Sequence, residues 1–280
     1  MEFTPLTAAQ RTQFEEQGYL VVPGVLDQPL IDRLVAAGDR LIASDLQENR
    51  QATKDGLYDG FRNVIALDPA FKSLLTFSAT VPLIVQLLSP RIHLVTSHLI
   101  YKHPDLPGTP PSRRDPDWHR DILNTPEDLG HDKLPRMEIK CAYYLSDLSV
   151  PQKGATLFSP GSNNLKQKLE IPAGQADPPN VFEPLLKPGD AVLFENRTYH
   201  AGGVNLSNET RKVVMFGYGY QWLKPFDYFI QPPEVWEGLD DIGKQLLGAL
   251  KDKNGHFVSG GINKPLTDWY AANTRTPALA

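Results

Sequence analysis

The chain has 280 residues, enough for one large domain or two small ones with a well-buried core. Hydrophobic residues make up 41 % and charged residues 22 %, an ordinary globular balance, and a net charge of -5 argues against a basic face for nucleic acid. No run approaches the roughly 18 apolar residues of a membrane span, and the opening MEFTPLTAAQRTQFEE lacks the basic start and apolar core of a secretory signal. A single cysteine, Cys141, makes no internal disulfide, so a cytoplasmic monomer or homodimer is expected, without membrane or nucleic-acid partners.

Residues 7–17 read as a short helix with Thr7 as its N-cap. GYLVVPGVL (18–26) is strand-like, and its proline places it at a sheet edge or a strand end. Residues 28–43 carry helical spacing at Leu30, Ile31, Leu34, Val35, Leu41 and Ile42. A helical pair is expected over 69–88, broken near Pro82. After residue 90 the texture changes. RIHLVTSHLIYK (91–102), EIKCAYYLSDL (138–148), ATLFSPGS (155–162), AVLFENRT (191–198) and RKVVMFGYGYQW (211–222) read as strands. The turn signals QKG, PGSNN, KPGD and NLSNET separate them. Cys141, inside an apolar run, reads as a small buried hydrophobe. A helical tail closes the pattern at about 233–251. The expected class is mainly β with flanking helices (α+β), built on a double-stranded β-helix, a jelly-roll, cupin-like core. One domain is expected: a helical part over 1–90, the core over 91–222, and a helical or loop cap over 223–280.

The stretch DPDWHRD (115–121) follows a proline-rich loop over 103–117, and long loops of that kind border sites. In an extended chain residues i and i+2 share a face, so His119 and Asp121 converge while Arg120 turns away. An imidazole and a carboxylate suit a first-row divalent metal, but two ligands hold it poorly. His200 is the best third ligand, because it ends a predicted strand and opens into Ala201-Gly202-Gly203. Two histidines and one carboxylate with open positions opposite are the arrangement of non-haem Fe(II) oxygenases. Such an enzyme needs a reductant. Arg211 begins the strand after the NLSNET turn, alongside His200, and a guanidinium is the natural partner of a carboxylate. Arg211, Val213, Met215, Gly217 and Gly219 share one face, and the two glycines leave space there. Val214, Phe216, Tyr218 and Tyr220 share the other, ready to pack on a second layer.

His119-x-Asp121, His200 and Arg211 together resemble the phytanoyl-CoA dioxygenase family of Fe(II)/2-oxoglutarate-dependent oxygenases. DWHRD, KGATLFSPGSNN (153–164), LKPGDAVLFENRTYHAGGVNLSNETRK (186–212) and GYLVVPGVL carry the likeness, which spans roughly residues 14–222. Asn163 stands where the family often has histidine, and the chain after 223 matches nothing. The resemblance implies Fe(II) on His119, Asp121 and His200, with 2-oxoglutarate and O2 as co-reactants. It implies a far carboxylate of 2-oxoglutarate on Arg211, helped by Thr156 and Lys102, and release of succinate and carbon dioxide. An aspartate at 121 points to halide-free oxidation, since related halogenases replace it with a small residue.

Trp118, His98 and Trp222 are candidate substrate contacts. Trp118 reads equally well as packing, and His98 shares a strand face with Lys102. Arg113, Arg114, Arg120, Lys133 and Arg136 read either as attractors of an anionic substrate or as a solvated basic loop. The remaining histidines, His93, His103, His131 and His256, read as bystanders. The expected function is oxidation, with hydroxylation favoured, of a small, partly apolar molecule in secondary-metabolite tailoring. The alternatives are a cupin-like isomerase or hydrolase that does not use 2-oxoglutarate, a lipid or acyl-CoA hydroxylase, and a non-catalytic binding module.

Overall fold

The computed structural model describes residues 1–248 and 264–274. In chain order the helices are α1 (Ala8–Gln17), α2 (Gln28–Ala43), α3 (Val81–Leu87), α4 (Thr125–Leu129), α5 (Pro233–Trp236), α6 (Asp241–Leu246) and α7 (Pro265–Thr274). The strands are β1 (Tyr19–Val22), β2 (Arg50–Ala52), β3 (Tyr58–Arg62), β4 (Ile92–Lys102), β5 (Glu138–Tyr144), β6 (Thr156–Phe158), β7 (Ala191–Glu195), β8 (His200–Gly202) and β9 (Arg211–Tyr220).

Local chemistry fixes the first elements. Thr7 and Gln10 close a reciprocal capping box at the start of α1, each side chain accepting the other's backbone N–H. Asp27 caps α2 by accepting from the Leu30 N–H at 2.9 Å. β1 lies at the sheet edge, where Pro23 ends the strand without breaking a ladder. The region 69–88 departs from expectation. It holds a 3-10 turn over Pro69–Leu74 and then α3, with Pro82 in the first turn of α3. Proline is tolerated there because the first helical N–H groups have no partner to lose, so Pro82 starts a helix instead of breaking one. The helical tail over 233–251 is observed as α5 and α6; its last residues, and His256, lie outside the described residues.

Seven strands form one antiparallel sheet in the order β1-β7-β5-β9-β4-β3-β2, and β6 and β8 form a second, two-stranded sheet. The N-terminal part is therefore not only helical, since β1, β2 and β3 belong to the large sheet. β2 and β3 carry too few alternating apolar residues to stand out, and the long β4 recruits them by main-chain pairing.

Strict alternation divides the large sheet's two faces. Leu99, Tyr101, Ile139, Cys141, Tyr143, Leu193, Val214, Phe216 and Tyr218 form one core with α2, α3, α6 and α7. Ile100, Ala142, Tyr144, Val192, Phe194, Val213 and Met215 form another, with Phe158 of β6. Lys102 of β4, Lys140 of β5 and Arg211 of β9 lie on this second, inner face, and His200 comes from β8 of the small sheet. Among the described residues no helix is long and apolar enough to cross a membrane.

Phe216 is fully buried in the helix-side core. Phe216→Ala should destabilise the fold by about 3–5 kcal/mol, seen as a lower urea midpoint with an unchanged slope. An unchanged midpoint would contradict this layering.

Candidate metal centre and cosubstrate cavity

The segment before His119 is not part of a long strand, yet it is held like one. His119 N–H donates to His200 O and His200 N–H to His119 O, both at 3.0 Å. Farther along, Asp115 N–H reaches Gly202 O and Gly202 N–H reaches Pro116 O at 2.8 Å. This close approach requires glycine at 202, because a Cβ there would stand 1.9 Å from the Asp115 carbonyl oxygen. The pairing brings the two imidazoles together across two chain segments, with ring centroids 4.2 Å apart and the planes tilted by 54°.

Asp121 reaches the same point from two residues on. Ligand atoms of His119, Asp121 and His200 all lie within 4.8 Å of one another. Each histidine uses Nδ1 on a main-chain carbonyl, His119 on Asp117 O at 2.7 Å and His200 on Thr198 O at 3.0 Å. A carbonyl only accepts, so Nδ1 carries the proton and Nε2 is left as a bare donor atom. Asp121 Oδ1 accepts from the Lys140 ammonium, while Oδ2 is buried with no partner and lies 3.8 Å from His200 Nε2. Burial alone would raise the Asp121 carboxyl, but the Lys140 ammonium beside it holds it at about 2. Burial pushes His200 down to about 4, which favours neutral imidazole, the metal-binding form. Two bare Nε2 atoms and one orphaned carboxylate oxygen facing a common point fit a divalent first-row metal.

Next to this cluster is a cavity of about 350 Å³. Lys102 and Arg211 are register partners on β4 and β9 and both line it. Both are buried, and among the described residues no carboxylate pairs with either. Arg211 Nε has no hydrogen-bond partner. The nearby acids are engaged elsewhere: Glu195 with Arg136 and Arg197, and Glu209 with Lys153. Burial, reinforced by the Arg211 charge, lowers Lys102 to about 8. Two buried cations without an anion are costly, and an incoming dicarboxylate would satisfy them. Thr156 lines the same cavity and accepts from Tyr144 Oη at 3.1 Å. His98 lines it too, hydrogen-bonded through Nε2 to Tyr58 Oη at 2.7 Å.

A second cavity of about 550 Å³ shares Arg62, Asp121 and Lys140 with the first and adds Glu138, Asp227, Ile122 and Phe226. Trp118 and Trp222, expected at the substrate, line neither cavity. Trp118 sits beside His119 and so turns to the opposite face, where its indole N–H donates to Ala176 O and Asp177 Oδ1 at 3.1 Å. Trp222 lies past the end of β9, exposed and stacked on Tyr220. The basic residues are held locally: Arg113 by Asp105 and Asp115, Arg114 by Asp177, Arg120 by three carbonyls, and Arg136 by Glu15 and Glu195. Asn163 donates to Glu195 Oε1 and Glu15 O and takes no part in the cluster. Sequence reasoning missed Lys140, Glu138, Tyr58 and Arg62. The signal was present in EIKCAYYL, where charges at 138 and 140 interrupt an otherwise apolar strand.

A His-Asp-His cluster beside a cavity walled by two cations, neither with a carboxylate partner among the described residues, fits the class of metal-dependent enzymes that take a carboxylate co-reactant. The sequence pattern of the phytanoyl-CoA dioxygenase (PhyH) family matches residues 14–213, and the chain belongs to that family of Fe(II)/2-oxoglutarate-dependent enzymes. Dioxygenase af480 from Aspergillus fumigatus is 28 % identical over 114 residues, which are 40 % of this chain and 36 % of that protein. The chain thus matches about a third of that relative's length. Among solved structures, HygX from Streptomyces hygroscopicus with nickel and 2-oxoglutarate bound superposes with a TM-score of 0.64 at 19 % identity, covering 80 % of this chain and 90 % of that one. The epimerase SnoN, in complex with Fe3+, alpha-ketoglutarate and nogalamycin RO, gives 0.59 at 20 % identity over 76 % of this chain and 83 % of its own. At these identities the structural likenesses speak for the fold.

Gly202→Ala should force the 115–119 segment away from β8 and separate the two histidines. Co(II) titration of the apoprotein should show affinity reduced at least ~10-fold with the far-ultraviolet circular dichroism unchanged. Wild-type affinity would mean that this contact does not set the cluster.

Proposed function

We propose that this protein is an Fe(II)/2-oxoglutarate-dependent dioxygenase that hydroxylates a small molecule, with His119, Asp121 and His200 as iron ligands. The observation that carries the reading is Arg211, buried beside Lys102 with no carboxylate partner among the described residues, in the cavity that adjoins the metal ligands. A metal isomerase or hydrolase without a carboxylate co-reactant leaves these two cations unexplained.

The residues divide the work. His119 and His200 present Nε2 because main-chain carbonyls occupy Nδ1, and Asp121 presents Oδ2 because Lys140 occupies Oδ1. Arg211 and Lys102 take the far carboxylate of 2-oxoglutarate, with the Thr156 hydroxyl beside them. Iron bound there would supply dioxygen activation, with 2-oxoglutarate as the two-electron reductant: one oxygen atom would enter succinate as carbon dioxide is lost, and the other the product hydroxyl. Ile100 and Met215 add apolar lining to the same cavity.

The larger cavity is the proposed substrate chamber, since it meets the metal cluster at Asp121. Its wall of Arg62, Glu138, Lys140 and Asp227, with only Ile122 and Phe226 as large apolar contacts, favours a hydrogen-bonding substrate over a long acyl chain. A natural-product role is supported by two structural neighbours, HygX solved with hygromycin B and SnoN solved with nogalamycin RO. We assign the chain a single oxygenase domain on a double-stranded β-helix, with the large sheet and the β6–β8 pair as its two layers.

Arg211→Ala should raise the dissociation constant of 2-oxoglutarate for the Ni(II)-loaded protein by about 30-fold or more, equivalent to about 2 kcal/mol or above, measured by calorimetry. An unchanged constant would remove Arg211 from the cosubstrate site. With isotopically labelled dioxygen, the product should carry a labelled hydroxyl; an unlabelled isomer or an alkene would refute hydroxylation.

A further inference from the structure

Lys140 rises from β5 on the inner face, opposite Gly217 of β9 and two residues from Glu138. Resting on the reading of Asp121 as a metal ligand, we infer that Lys140 is a positioning residue: its ammonium takes one oxygen of Asp121, so the carboxylate meets the metal through the other oxygen alone.

A free carboxylate can chelate a cation with both oxygens or bind with one. At Asp121 the two oxygens have different surroundings. Oδ1 accepts from Lys140 Nζ, and the pair is largely buried. Oδ2 has no partner and faces His200 Nε2 at 3.8 Å. A charge-assisted hydrogen bond away from water is short and strong, so an incoming ion meets an Oδ1 already committed. One-oxygen ligation matters for this chemistry. A chelating aspartate would occupy a further coordination position, which the cosubstrate and dioxygen need.

The fold gives Lys140 its place. Register sets Gly217 directly across from Lys140 and Gly219 across from Glu138, so two charged side chains share a face that two glycines keep open. A Cβ on Gly217 would stand 2.2 Å from Glu138 Oε1. Glu138 is buried with both oxygens unpartnered among the described residues, a second carboxyl on the same strand face as Lys140. Lys140 also borders both cavities, which puts its ammonium where the cosubstrate and substrate spaces meet. A purely structural ion pair does not need this asymmetry, since buried pairs are often replaced by apolar side chains without loss of stability.

The test uses Co(II) as probe with the apoprotein and three chains: wild type, Lys140→Met and Asp121→Ala. Lys140→Met should bind Co(II) with an altered d–d absorption band, because coordination changes when Oδ1 is released. A wild-type band in Lys140→Met would overturn the inference while leaving the His-Asp-His ligands in place. Asp121→Ala binding Co(II) as the wild type does would instead overturn the ligand reading beneath it. Should Lys140→Met fail to fold, the wild type decides alone. The infrared difference between Zn(II)-loaded and apo protein, with isotopically labelled aspartate, should show the wide carboxylate splitting of one-oxygen ligation. The narrow splitting of a chelate would refute the role.

Discussion

The site depends on one main-chain contact. His119 and His200, 81 residues apart by number, exchange both of their backbone hydrogen bonds at 3.0 Å. That exchange turns an irregular segment into a local strand beside β8, so both imidazoles and the carboxylate of Asp121 point to one place. Everything around it serves the approach. Gly202 has no Cβ to collide with the Asp115 carbonyl, and β6 holds β8 from the other side through Thr156, Leu157 and Phe158. Phe194 of β7 packs its ring 4.9 Å from that of His200, tying the imidazole to the inner core.

Around this contact the charges follow a pattern. The inner face of a large sheet is an expensive place for ions, yet Lys102, Glu138 and Arg211 stand there buried and Lys140 half-buried. Lys140 is paired with Asp121. Glu138, Arg211 and Lys102 have no ionic partner among the described residues. Burial pushes Glu138 up to about 8 and Lys102 down to about 8, opposite displacements with one cause. Such groups are where a protein meets a ligand that completes its hydrogen bonds. The two cations line the smaller cavity and the carboxylate lines the larger one, so the spaces on either side of Asp121 suit different molecules.

Much of the site was legible because a simple local rule governed each part. Alternation placed His119 and Asp121 together. Arg211 was expected alongside the strand of His200, but β9 pairs with β4 and β5 in the large sheet while β8 pairs with β6, so the two residues meet only across a shared cavity. Alternation, applied one residue back, turns Trp118 away from the metal, and its indole is found on the 176–177 segment. The space left by Gly217 and Gly219 was also readable, but its occupants were not. Glu138 and Lys140 fill it from β5, and only the register between β5 and β9 reveals the match. β2 and β3 escaped for a related reason: RQA and YDGFR have little apolar alternation, and pairing with β4 makes them strands. Tyr58 reaches His98 from there, so a segment with weak propensity shapes the smaller cavity.

The account rests on a metal held by two imidazoles and one carboxylate oxygen, with 2-oxoglutarate in the neighbouring cavity. Anaerobic addition of Fe(II) and 2-oxoglutarate to the apoprotein, followed by visible absorption, tests this most directly. A weak metal-to-ligand charge-transfer band should appear in the wild type and be absent from His119→Ala and His200→Ala proteins that keep wild-type circular dichroism. No band in the wild type, or an undiminished band in either variant, would contradict it.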